Sequence, residues 1–164
     1  MPDERVIQQV GGILGMNDIA FKTDETKQTF LVPQGSAGVF ISFGNMGDST
    51  IVQLRAIVLE QVDGSGERKQ KILEELNERN RKIVFGCFSF DPDSGIVVLD
   101  HALLGDQLQG QELLHALFAI ATTADEIDDE LLEAIGSGVR ATDVWAAADA
   151  QASEPGGVGP VVET

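Results

Sequence analysis

The order in which apolar residues change their spacing constrains the fold of this chain more than any other feature. Between Glu4 and Leu14 they recur at the intervals of an amphipathic helix. From residue 19 to residue 62 the chain changes to residues typical of strands: Val39, Ile41 and Phe43 alternate with other residues, and Ile51 to Val62 is rich in β-branched residues. Turn residues at Gly35-Ser36 and at Asn45 to Asp48 divide that region. It therefore predicts a three-strand antiparallel meander.

The second half of the chain returns to helical spacing twice. A second helix is predicted from Ser65, its expected N-cap, to about Arg81. Two short strands, Ile83 to Phe90 and Ile96 to Asp100, then predict a β-hairpin. A third helix is predicted from Gly110 to Ile135, with an interruption near Ala124 left open. Helix, meander, helix, hairpin and helix is an α+β order, because a parallel sheet would need strands and helices to alternate.

One domain and a tail account for the length of the chain. Its 164 residues are too few for two typical domains, and 43% of them are hydrophobic, which is enough for one core. Gly136 is expected to end the third helix, and the composition changes after Gly138. We predict a domain over residues 1–138 and a tail over 139–164, helical over about 142–151 and disordered beyond it.

The charge of the chain argues against two classes of partner. Asp and Glu outnumber Lys and Arg by 27 to 11, so nucleic acids and anionic membranes would be repelled. Six of the eleven basic residues lie between Glu67 and Lys82, within the predicted second helix. The N-terminus lacks the pattern of a signal peptide, and no apolar run approaches the ~20 residues of a membrane span. We expect a cytoplasmic protein without a membrane anchor.

The sequence contains no pattern typical of catalysis or of a bound cofactor. Its glycine-rich segments lack the phosphate-loop and dinucleotide motifs, and Cys87, His101 and His115 lack the spacing of a metal clip. Cys87, the only cysteine, lies on an apolar strand and is expected to be a small core residue. An enzyme that uses Cys87 or the carboxylates of Asp125 to Glu130 ranks third, after the two non-enzymatic interpretations given below. We predict no enzymatic activity, no cofactor and no metal site.

The residues from Leu76 to Leu104 resemble those of a known family. They read Leu76-Asn-Glu-Arg-Asn80, Phe85-Gly-Cys-Phe-Ser-Phe-Asp91, Gly95-Ile-Val-Val-Leu99 and His101-Ala-Leu-Leu104. Together with the element order over about residues 4–136, they resemble the YbjN-like proteins, whose fold is similar to that of class I type III secretion chaperones of the CesT type. The resemblance implies helices packed on a twisted antiparallel sheet.

The resemblance also implies a function. Proteins of this kind are commonly homodimers that hold an extended segment of a partner protein along their surface. We therefore expect a chaperone-like or adaptor module that binds a partner protein or peptide. The residues expected to make partner or dimer contacts are Leu73, Leu76, Asn77, Asn80, Phe85, Phe88 and Trp145.

Two hypotheses accompany this expectation. A regulatory domain that senses a small molecule could use the same sheet as a ligand pocket, and the sequence leaves that alternative open. The tail could also bind its own domain, since Trp145, the only tryptophan, stands among alanines after a glycine-rich stop. In that case the tail would occupy the groove that a partner uses.

Overall fold

The computed structural model describes residues 1–24, 26, 28–34 and 37–144. Its helices and strands are α1 (Glu4–Met16), β1 (Lys22–Thr23), β2 (Phe30–Gln34), β3 (Ala37–Met46), β4 (Ser49–Glu60), α2 (Arg68–Asn80), β5 (Cys87–Asp91), β6 (Ile96–Leu104), α3 (Gly110–Ile135) and β7 (Val139–Arg140). A 3-10 turn at Gly105–Gln107 joins β6 to α3. The predicted order of helix, meander, helix, hairpin and helix is confirmed, with the short strands β1 and β7 in addition.

The strands form a single antiparallel sheet with β4 at its centre. Their order is β1-β2-β3-β4-β6-β5, and β7 pairs with the end of β4. Even-numbered residues of β4 from Val52 to Ala56 are buried on the inner face, and the odd-numbered residues from Ile51 to Ile57 point to the outer face. A bulge after Ile57 shifts the register with β6, so Val58 and Leu59 are both buried.

The core lies between the inner face of the sheet and helices α1 and α3. Val10 and Leu14 of α1, together with Leu113, Leu117 and Ile120 of α3, are fully buried. Burying a side chain of this size contributes about 1.5–3 kcal/mol, so this layer supplies much of the stability. No helix within the described residues is long and apolar enough to cross a membrane.

Helix α2 packs beside α3 at the β5 edge of the sheet. Ile72 and Leu76 are its buried residues, four positions apart and therefore on one face. Arg79 extends from the same helix and pairs with Glu75 on α2 and with Glu130 on α3, at 2.8 Å in each case. The opposite face of α2 remains exposed.

Glycines lie at two boundaries of regular elements, the end of α3 and the start of β5. Gly136 ends α3 in the left-handed conformation (φ 75°) and donates its N–H to the carbonyl of Leu132, as predicted. The strand predicted from Ile83 begins only at Cys87, which corrects the sequence analysis. Gly86 has a φ of 85°, and a Cβ there would lie 2.6 Å from Cδ1 of Ile120. The chain turns sharply at this point, so residues 83–86 form a loop.

Three further predictions need correction. Ser65 does not cap α2; its N–H bonds to Asp63 and its carbonyl accepts from the N–H of Arg68, the first helical residue. Helix α3 is continuous through Ala124, which is buried. Strand β6 extends past Asp100 to Leu104 because its pairing with β4 continues to the end.

The packed chain also continues past Gly138. Val139 and Arg140 pair with Glu60 and Leu59 of β4, Ala141 is buried, and residues 141–144 are helical. Most of the predicted helix over 142–151, Trp145 and the segment predicted to be disordered lie outside the described residues.

Candidate functional site

The outer side of the sheet presents a broad surface across β3, β4 and β6. Cross-strand pairing arranges it in three rows, Phe40–Arg55–Asp100, Ser42–Gln53–Ala102 and Gly44–Ile51–Leu104, with Met46 beyond the last. We call these ten residues the sheet face. Ser42 and Ala102 in the middle row are small and Gly44 in the last row has no side chain, which leaves room along the face. Two shallow depressions, of about 300 and 450 Å³, adjoin there along Gln53 and Ala102.

The two ends of the sheet face differ in chemistry. At one end Arg55 donates from Nε and Nη2 to the two carboxylate oxygens of Asp100, at 2.6 and 2.9 Å. This hydrogen-bonded pairing raises the pKa of the Arg55 guanidinium. At the other end Leu104 is 51% exposed and Met46 is 64% exposed. The surface therefore runs from a paired charge to an apolar end.

A second surface lies on the exposed side of α2. Lys69, Gln70, Leu73, Glu74 and Asn77, which we call the α2 face, line a shallow depression of about 510 Å³. Leu73 lies among them and is 45% exposed, so this surface contains an accessible apolar side chain. The flanking lysine and glutamate give this surface both signs of charge.

The free edge of the sheet at β5 is partly closed by a side chain. Asn80, the last residue of α2, accepts the N–H of Phe88 at 2.6 Å and donates to its carbonyl at 3.0 Å. This carboxamide occupies the backbone groups that an added strand would use. At the other side of the sheet, Pro33 of β2 has no N–H to offer.

Comparison with known proteins identifies the family. The model of the TY-Chap1 family, described as "T3SS (YopN, CesT) and YbjN peptide-binding chaperone 1", matches residues 3–143. The chain belongs to the TY-Chap1 family. A chain in the crystal structure of the ExsC–ExsE complex shares the fold with a TM-score of 0.51 and 18% identity, covering 80% of this chain and 97% of that one. No curated protein sequence matches this chain. The resemblance to YbjN-like and CesT-type proteins is confirmed.

The structure of this TY-Chap1 chain distributes the predicted contact residues over several places. Leu73 and Asn77 lie together on the α2 face. Leu76 and Phe88 are buried in the core, where a partner cannot contact their side chains directly. The side chain of Asn80 is hydrogen-bonded to the backbone of Phe88 in β5, and Trp145 lies outside the described residues.

Phe85 lies apart from the α2 face, in the loop before β5. Its ring meets that of His101 edge-on, with 5.6 Å between the centroids. The neighbouring Val84 is almost fully exposed. This loop is an apolar protrusion next to β6, separate from the other predicted contacts.

The sequence analysis missed the sheet face of this TY-Chap1 domain. The segment from Ile51 to Val62 was predicted to be a strand from its β-branched residues, and the two faces of that strand were not distinguished. Ile51, Gln53, Arg55 and Ile57 form that second set. Two isoleucines on the face opposite the core were the available signal, because a solvent-facing strand side is usually polar.

The structure also shows where the residues considered for an enzyme lie, namely Cys87 and the carboxylates of Asp125 to Glu130. Cys87 is exposed and not a core residue, because it stands opposite Asp100 on the outer side of β5. Among Asp125 to Glu130, Asp129 pairs with Arg140 at 3.2 Å and Glu130 pairs with Arg79. Within the described residues no three His, Cys, Asp or Glu side chains are grouped so as to hold a metal ion.

Proposed function

We propose that this TY-Chap1 protein is a non-enzymatic, cytoplasmic binding protein that holds an extended segment of a partner along its sheet face. The observation that carries the proposal is the pair of adjoining depressions beside the small residues Ser42, Gly44 and Ala102, on a face that runs from a paired charge to an apolar end. The family to which the chain belongs is described as peptide-binding. The similar solved chain comes from the ExsC–ExsE complex, a structure of two proteins together.

The chemistry of the face suggests what the segment contains. Met46, Ile51 and Leu104 offer an apolar contact for one or two anchoring side chains. The chain carries a net charge of −16, so a segment rich in Lys or Arg would be attracted over most of the surface. We expect side chains to contribute more than strand addition at β5, because Asn80 already occupies the backbone of Phe88.

We further propose that two copies associate through the α2 face. A two-fold axis between antiparallel α2 helices would place Leu73 against Leu73 and Lys69 of one protomer opposite Asn77 of the other. Two chains of this charge repel each other over most surfaces. The α2 face holds one cation, Lys69, and one anion, Glu74, so its own charge does not oppose association.

A selection from a random peptide library tests the sheet-face proposal. We expect selected peptides to combine apolar and basic residues, and Leu104→Asp to weaken their binding at least about tenfold, or 1.4 kcal/mol, in calorimetry. Leu73→Asp on the α2 face is the matched control and should leave peptide affinity unchanged while reducing dimer formation in light scattering. Equal affinity for Leu104→Asp and the original chain would reject the sheet face as the binding surface.

A further inference from the structure

We propose that the segment after Val144 docks on the α2 face of its own chain in the monomer and competes with a second copy for that face. The docking does not depend on peptide binding at the sheet face. It rests on where the segment starts, how long it is, and the complementarity of its charge and apolar residues to α2.

The segment begins next to α2. Arg140 of β7 binds Asp129 of α3 at 3.2 Å, and the adjacent Glu130 binds Arg79 of α2. The loop before α2 contacts the turn between α3 and β7, because the Ser137 hydroxyl accepts the N–H of Asp63 at 3.1 Å. Asp63 in turn pairs with Arg68, the first residue of α2. These contacts therefore link β7 and the turn before it to both ends of α2, through α3 at one end and through Asp63 at the other.

Its length is sufficient to cover the helix. Residues 145–164 make a segment of 20 residues. An extended chain spans at most about 3.3–3.6 Å per residue, whereas a helix advances about 1.5 Å per residue. A segment of this length can reach along the 13 residues of α2 and turn back.

The charges of the two partners are complementary. Asp149, Glu154 and Glu163 are the charged side chains of the segment, which contains no basic residue. Within the described part of the chain, the cations without an ion pair are Lys22, Lys69 and Lys71. Two of these three are on the first turn of α2, so an acidic segment is attracted there and repelled by most of the remaining surface.

The apolar residues complete the match. Leu73 is half-exposed at the centre of the α2 face, beside Lys69. The segment brings Trp145 at its start, and Val158, Val161 and Val162 near its end. Because the segment is tethered, its effective concentration at the α2 face is on the order of millimolar, and weak contacts are then sufficient for occupancy.

Fluorescence of the full chain tests the docking, since Trp145 is its only tryptophan. We expect Leu73→Asp, and separately the pair Lys69→Glu and Lys71→Glu, to shift the emission maximum to that of the urea-unfolded chain. Lys22→Glu is the matched control, since it makes the same charge change on β1, at the opposite side of the sheet, and should cause no shift. Circular dichroism verifies that each variant is folded. Unchanged emission in the α2 variants overturns the proposal.

Disulfide trapping locates the segment independently of Trp145. In a Cys87→Ser background, Gln70→Cys combined with Val158→Cys should form an intramolecular disulfide under mild oxidation. Gln53→Cys with Val158→Cys, which targets the sheet face instead, should react several-fold more slowly. Equal rates for the two pairs, or a disulfide that forms only between two chains, would contradict docking on the segment's own α2 face. Neither result bears on peptide selection by the sheet face, so the two proposals fail separately.

Discussion

Asn80 completes the edge of the sheet by binding both backbone groups of Phe88. Its Oδ1 accepts the N–H of Phe88 at 2.6 Å, and its Nδ2 donates to the carbonyl at 3.0 Å. The two residues are only eight positions apart, and the contact fixes the end of α2 against β5. A side chain thus takes the place of a neighbouring strand near the start of β5.

Removing this side chain should weaken the fold and expose the strand edge. We expect Asn80→Ala to lower the free energy of unfolding by about 1–3 kcal/mol, because two partly buried backbone groups lose their partners. Urea unfolding measures this change, and light scattering should show association that increases with concentration. Asn77→Ala is the control; Asn77 lies on the same helix but is exposed, and its replacement should change stability by less than about 0.5 kcal/mol. Equal stability of the two variants would show that the edge contact is unimportant.

Arg79 is expected to connect α2 to α3 in solution. It pairs with Glu75 and Glu130 while its own side chain is mostly buried, and Glu130 raises the pKa of its guanidinium, with Glu75 adding to this. Arg79→Ala should lower the free energy of unfolding by about 1–3 kcal/mol, since charge-assisted hydrogen bonds and packing of the side-chain stem are lost together. Arg81→Ala removes an exposed pair with Glu78 and should cost less than about 1 kcal/mol. Similar losses for both variants in urea titrations would contradict a connecting role.

Element order was readable from the sequence because it depends on local spacing. The alternation of β4 and the 3.6-residue period of α3 each follow from burial on one side, and both predicted elements are present in the structure. Element ends were less predictable because they depend on distant residues. The start of β5, for example, depends on Ile120 and Leu99 filling the space beside Gly86.

The candidate site was harder to predict than the fold. Leu73 and Asn77 were among the predicted contact residues, and both lie on the exposed α2 face because they belong to one helix segment. The sheet face, in contrast, combines residues from β3, β4 and β6 whose proximity is set by pairing register. Arg55 and Asp100 are 45 positions apart, and the sequence around either residue does not predict their contact.

Asp128 should make stability depend on pH in the direction opposite to most carboxylates. Burial raises its pKa; the hydrogen bond from the backbone N–H of Asp129 and the charge of Arg140 oppose this rise, and the charges of Asp129 and Asp125 add to it. A carboxyl group whose pKa is higher in the folded state than in the unfolded state destabilises the fold above the folded pKa. That penalty disappears as the pH falls through the folded pKa to below the unfolded one.

Replacing Asp128 isolates this effect. Asp128→Asn can still accept the N–H of Asp129, so we expect a higher free energy of unfolding at pH 7 and a difference from the original chain that vanishes in acid. Asp129→Asn, an exposed acid paired with Arg140, is the control and should give no gain at neutral pH. Chemical unfolding at a series of pH values measures both. A gain from Asp128→Asn that persists in acid would show that deprotonation is not its cause.

Two glycines should respond to the same substitution with opposite signs. Gly86 has a φ of 85°, and an added Cβ would lie 2.6 Å from Cδ1 of Ile120 and 2.9 Å from Cδ1 of Leu99. Gly86→Ala therefore combines an unfavourable backbone with overpacking, and should lower the free energy of unfolding by about 2–4 kcal/mol. Gly12 lies exposed within α1, where an added Cβ meets nothing within 4 Å. Gly12→Ala should raise the free energy of unfolding by about 1 kcal/mol, because alanine favours the helix. Thermal and urea unfolding of both variants measure these changes, and destabilisation by Gly12→Ala would indicate that α1 needs this glycine for a contact not made within one chain.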